Sequence, residues 1–170
     1  MLLFGRGGKG RGAHVCPTKE CVLGLNSGCL SRAFKTSIKL KESKPDMVKR
    51  LANLSKQRIG ETLGLARRAG ALEIGTDRVA EKLKRCMDHS NPGVAVAAND
   101  LAERTTKRLE GGWAFGSSQE LGAYIGVAKA GAIWVASSRF SKTLDFWLRC
   151  EQAMGCALEA FQDETEKKED

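Results

Sequence analysis

The chain has 170 residues, 42% of them hydrophobic and 28% charged, with a net charge of +8 at neutral pH. That leaves room for one ordinary domain plus a small appendage, and supplies enough apolar side chains for a packed core. No apolar run approaches the roughly 20 residues that cross a bilayer, and Met1-Leu2-Leu3-Phe4 is shorter than the apolar core of a signal peptide, about 7–15 residues, so the expectation is a soluble, cytoplasmic protein without a membrane partner.

The positive charge is concentrated at the start. Residues 1–50 hold eleven Lys/Arg against three Asp/Glu, residues 51–160 fifteen against twelve, and residues 161–170 two against five. Gly5-Arg6-Gly7-Gly8-Lys9-Gly10-Arg11-Gly12 intersperses cations with glycines, a flexible composition that lets the charges approach a polyanion closely. Charge this local points to phosphate as the partner, against the blander reading of a solvated linker.

From Pro17 the pattern becomes orderly. Thr18 caps a short helix running to about Leu25, Asn26-Ser27-Gly28 reads as a turn, and a second helix from Cys29 to about Lys35 places Arg32 and Lys35 beside an apolar face. Ile38-Lys39-Leu40-Lys41 alternates apolar and cationic residues as a half-buried strand does. This first unit is too small for a strong core of its own.

Ser43-Lys44-Pro45-Asp46 starts a helix that closes on Arg67-Arg68-Ala69-Gly70, and Gly60 and Gly64 predict a bend or break near residues 56–60. Thereafter strands and helices alternate. Leu72–Ile74, Val94–Ala98, Trp113–Phe115 and Ala132–Ala136 read as strands; Thr76–Cys86, a helix capped by Asn99 and running to Leu109, a helix opened by the capping box Ser117-Ser118-Gln119-Glu120, and a last helix from Ser138 or Arg139 lie between and after them. The expected fold class is α/β: a three-layer α/β/α sandwich over residues 45–160, a small basic module over residues 1–44, and an acidic, frayed tail over residues 161–170.

Six cysteines invite a disulfide framework or zinc. The compartment argues against the first. For the second, which would draw on His14, Cys16, Cys21 and Cys29, the spacing Cys16-x4-Cys21-x7-Cys29 has no second tight ligand pair of the kind that closes a structural zinc site, and Cys86-x2-His89 has no partner pair. Reduced thiols are expected, with no metal or cofactor. Neither His14 nor His89 has a nucleophile and an orienting acid at an identifiable spacing, and Lys9 is followed by Gly10 where a phosphate-binding nucleotide loop needs Ser or Thr, so neither an enzyme nor a small-molecule substrate is expected.

Nucleic acid fits better. Arg6, Lys9, Arg11, Arg32 and Lys35 would neutralise phosphates from the first module. Arg67 and Arg68, together with the helix start Gly75-Thr76-Asp77-Arg78, form a second candidate, because a helix N-terminus after glycine offers free N–H groups to phosphate; ordinary capping is the alternative. An acidic protein docked on the basic arm, with this chain as an interaction adaptor, is the runner-up to RNA.

Two resemblances sharpen this. Gly10-Arg11-Gly12-Ala13-His14-Val15-Cys16-Pro17, Cys21 and Leu30-Ser31-Arg32-Ala33-Phe34-Lys35 resemble the C-terminal half of the bacterial YlxR family, whose strand-bearing first half has no counterpart here; the resemblance implies a truncated module with an RNA-binding basic surface. Leu63-Gly64-Leu65-Ala66-Arg67-Arg68-Ala69-Gly70, Gly75 and Gly116-Ser117-Ser118-Gln119-Glu120-Leu121-Gly122-Ala123-Tyr124-Ile125-Gly126 resemble YlxQ, a relative of the kink-turn-binding ribosomal proteins. That resemblance implies an α/β/α domain and a cytoplasmic bacterial protein that binds ribosomal or other structured RNA near the ribosome or the transcription and translation machinery. It adds Gly75, Thr76, Arg78, Lys82, Ser117 and Ser118 as RNA-facing residues. Where kink-turn binders carry Asn, Glu and Lys, this chain has Asp77, Arg78 and Glu81, with Lys82 one residue on. Asp cannot donate the amide hydrogen bond of Asn, and the other two positions reverse charge, so the expectation is structured-RNA binding without kink-turn specificity.

Overall fold

A computed structural model describes residues 15–86 and 93–166. In chain order the elements are α1 (Lys19–Leu23), α2 (Ser27–Phe34), α3 (Lys44–Arg68), β1 (Leu72–Ile74), α4 (Thr76–Cys86), β2 (Val94–Ala97), α5 (Glu103–Arg108), β3 (Trp113–Ala114), α6 (Ser118–Ile125), β4 (Ala132–Val135) and α7 (Arg139–Glu166). The fold is mixed α/β. The chain forms two compact units, one made of residues up to Ser55 together with those from Arg149 onward, the other of Lys56–Leu148.

The Lys56–Leu148 unit is organised by an open four-stranded sheet of order β1-β4-β2-β3. β4 pairs antiparallel with β1 and β2, and β3 pairs parallel with β2, so β1, β2 and β3 all run one way. The register sets Ala95 opposite Trp134 and Ala97 opposite Ala132. These four residues share a face with buried Val79 and Ala80 of α4 and Leu109 after α5. The alternate residues Val96, Ile133 and Val135 point the other way and are also fully buried. Both faces of the central strands are therefore covered, which is why they read as unbroken apolar runs rather than as alternating ones.

The smaller unit solves its size problem with borrowed helix. Val22, Leu25 and Leu30 from α1 and α2 pack with Met47, Val48, Leu51 and Ala52 of α3 and with Ala153, Met154 and Ala157 of α7. Some 30 residues at the start of the chain could not bury such a core alone. Arg149 onward supplies the missing wall.

Five local expectations differ from the structure. Ser27 and Gly28, expected in a turn, are the first residues of α2, because Asn26 caps the helix there. Residues 38–41 form no strand, although Ile38 and Leu40 are half-buried and Lys39 and Lys41 exposed, as the alternation requires. α3 is helical without interruption through Gly60. That glycine answers a packing need: a Cβ there would collide with the ring of Tyr124. α5 starts at Glu103 with Ala102 at its cap position and no side-chain cap, because Asn99 and Asp100 are held in a loop between β2 and α5. Asp163 and the three residues after it continue α7 instead of fraying, and residues 167–170 lie outside the described residues.

Candidate nucleic-acid interface

In the smaller unit, the end of α2 sets the cations in place. Asn26 caps α2 by accepting from the Cys29 amide at 2.9 Å. The helix stops at Lys35, which takes the left-handed conformation (φ 55°, ψ 35°) and turns the chain back. Ser31 then closes the turn, its Oγ accepting from the Ile38 amide at 2.9 Å. Because Ile38 and Leu40 face the core, Lys39 and Lys41 face out, one residue and three residues beyond that staple.

Arg32, Lys35, Lys39 and Lys41 are all exposed. Among the described residues none of them makes an ion pair, and the Arg32 guanidinium donates only to Cys29 Sγ, at 3.7 Å. The sequence from Cys21 to Lys41 contains no Asp or Glu. The first carboxylate beyond it, Glu42, is taken by Arg50 through two bonds of 2.6 and 3.2 Å. That hydrogen-bonded guanidinium also lowers the Glu42 pKa. Arg6, Lys9 and Arg11 lie outside the described residues.

In the larger unit, the parallel directions of β1, β2 and β3 bring their C-terminal ends together with the start of β4. Backbone bonds tie the loops there: Gly75 N to Ala132 O (3.0 Å), Ala98 N to Gly131 O (2.9 Å), Asn99 N to Gly116 O (2.8 Å) and Ala130 N to Ser118 O (2.8 Å). Gly75 takes φ +124°, a conformation that side-chain-bearing residues rarely adopt, and this turns β1 directly into α4. Thr76, Arg78, Ser117 and Ser118 consequently share this loop end.

The loop end is built largely from the chain's own carboxylates. Ser117 and Glu120 form a complete capping box on α6, the Ser117 amide donating to Glu120 at 2.7 Å. The Ser118 amide and hydroxyl both donate to Asp100, each at 2.8 Å. These serine hydrogen bonds hold both carboxyls below their ordinary values, with Lys129 adding a smaller push on Asp100. Asp77, the second residue of α4, pairs with Arg108 at 2.7 Å. Sequence reasoning singled out Ser117, Ser118 and Arg78 but missed Asp100, Arg108 and Lys129; the long sequence separations of Asp100–Ser118 and Asp77–Arg108 leave no local signal for such pairs.

Two other expected groups fall elsewhere. Arg67 and Arg68 end α3 at the opposite end of the strands: Ala71 accepts from Ala136 beyond β4's far end, while Gly75 meets Ala132 at its start. About 3.3 Å of strand per residue separates the two ends by about 10 Å. Lys82 shares its face with Glu73, to which it pairs at 3.0 Å.

Among the described residues, no group of three His, Cys, Asp or Glu is placed to hold a metal ion, and no helix is long and apolar enough to cross a membrane. Cys16 and Cys21 are exposed free thiols, Cys29 is partly exposed, and burial pushes the Cys150 thiol up to about 11. His14 and His89 lie outside the described residues.

No family model matches the chain, and no curated protein matches it. Among solved structures it is similar to a protein of unknown function from Bacillus halodurans C, at 24% sequence identity and a TM-score of 0.48, over 54% of this chain and 96% of that one.

Proposed function

We propose that this protein is a non-catalytic binder of structured RNA, linked to the ribosome or to the transcription and translation machinery, whose larger unit is a three-layer α/β/α sandwich. The observation that carries the reading is the Arg32–Lys41 surface: four exposed cations, unpaired among the described residues, in a stretch free of carboxylates. Cations that a protein leaves without internal partners on a shaped surface suit a phosphate backbone, because each phosphate they neutralise releases condensed counterions. Contacts of this kind position a protein by backbone and shape rather than by base sequence, as suits helical RNA, whose deep groove side chains do not read. The sequence resemblances to YlxR and YlxQ point the same way, as does the burial of both faces of β2 and β4 for the sandwich.

The test is a titration of ribosomal RNA binding between 50 and 200 mM salt. The reading expects log affinity to fall linearly with log salt, by about 0.7–0.9 of slope for each phosphate contacted. The quadruple variant R32Q/K35Q/K39Q/K41Q should lose about three units of that slope. Affinity that is flat across the range would refute RNA binding, and selective capture of acidic proteins by the same surface would favour the adaptor.

A further inference from the structure

We infer that Asp77 and Asp100 are specificity determinants that withdraw the loop end of the sheet from phosphate contact, leaving RNA to the Arg32–Lys41 surface. The inference rests on the RNA reading and divides the two candidate faces by their internal chemistry.

At the loop end the groups that open α6, and a cation beside the start of α4, are already held by anions of the chain. Asp100 takes both the amide and the hydroxyl of Ser118. Glu120 takes the amide of Ser117. Asp77 stands in the first turn of α4 and holds Arg108, the last cation of α5. Two helix starts that would otherwise present N–H groups and positive dipole ends thus carry three carboxylates. A phosphate arriving there would meet like charge at close range, and like-charge juxtaposition is how interfaces reject wrong partners. Lys129 acts on the Asp100 carboxyl, and exposed Arg78 follows Asp77 in the first turn of α4. The stretch from Cys21 to Lys41 holds no such carboxylate.

The test compares D77N/D100N with a charge-matched control, E61Q/E110Q, which removes two exposed carboxylates from elsewhere in the same unit, one of them paired with Arg58. Both raise net charge by the same amount, so a general field effect moves both alike. Ribosomal RNA binding is titrated with salt, and elution from immobilised heparin is measured in parallel. The expected result is a salt slope steeper by about one phosphate contact, 0.7–0.9 units, for D77N/D100N but not for the control. Equal slopes for the two variants would overturn the inference while leaving RNA binding intact. If the unaltered protein binds RNA with no salt dependence, the RNA reading falls and heparin decides: later elution of D77N/D100N than of the control upholds the carboxylate screen, and equal elution overturns it. Should the double variant fail to fold, D77N alone carries the test, since exposed Asp77 is tied only to Arg108 among the described side-chain contacts.

Discussion

Ser31 and Ile38 are joined across the end of α2 by a hydrogen bond in which the Ile38 amide donates to Ser31 Oγ at 2.9 Å. This bond takes the place of the ladder that residues 38–41 lack. It fixes the register in which Ile38 and Leu40 turn inward and Lys39 and Lys41 outward. Ser31→Ala should therefore cost about 0.5–1.5 kcal/mol in urea unfolding, with a partly buried amide left without its partner. It should also weaken the proposed RNA binding more than an exposed Thr36→Ala, because it loosens the cations without removing one. Equal binding by the two variants would show that the staple does not position Lys39 and Lys41.

Gly60→Ala is expected to destabilise the protein, against helix propensity, which favours alanine by up to about 1 kcal/mol. The added Cβ would strike the Tyr124 ring, which stacks on Phe115 with centroids 6.2 Å apart. Overpacking of this kind costs about 1–3 kcal/mol, so a lowered Tm is expected. In the background of Tyr124→Ala the same substitution should become neutral or stabilising. A Tm raised by Gly60→Ala alone would show that the ring moves freely.

Acid should act on the loop end. The carboxyls of Asp100 and Glu120 titrate below their ordinary values of 3.8 and 4.5 because Ser118 and Ser117 donate to their charged forms. A group depressed in the folded state stabilises it above the unfolded value, and that contribution fades as pH falls through the folded one. Ser118→Ala should accordingly lower Tm at pH 6 and lower it less once the pH is well below 3.8. A Tm difference that does not shrink in acid would separate the serine's role from the charge of Asp100.

Met154→Ala should open the smaller unit. Met154 is fully buried among Val22, Leu30 and Leu51, far from them in sequence. Truncating it is expected to cost about 2–5 kcal/mol. Hydrogen exchange should rise across α1 and α2 before it rises in β2 and β4. Simultaneous loss of protection would mean that the chain unfolds as one cooperative body.

The secondary structure was largely legible because its causes are local. Thr18, Ser43-Lys44-Pro45 and the Ser117–Glu120 box announce helix starts through their own hydrogen bonds or dihedral angles, and the apolar runs at Val94 and Ala132 announce covered strands. The failures share a cause too. Gly60 reads as a helix breaker until Tyr124 is seen against it, and residues 38–41 read as a strand until no partner strand is found.

The candidate site divides in the same way. The sequence alone determined the clustered cations, the carboxylate-free stretch before Glu42 and the two helix starts, since composition and capping need no long-range information. Only the tertiary structure decided that α7 would wall the smaller unit, that Arg67 and Arg68 would sit at the opposite end of the sheet from Gly75, and that Asp77 and Asp100 would meet Arg108 and Ser118. Those outcomes depend on helix packing, strand order and register, which bring residues 18 to over 100 positions apart into contact in ways that no local pattern encodes.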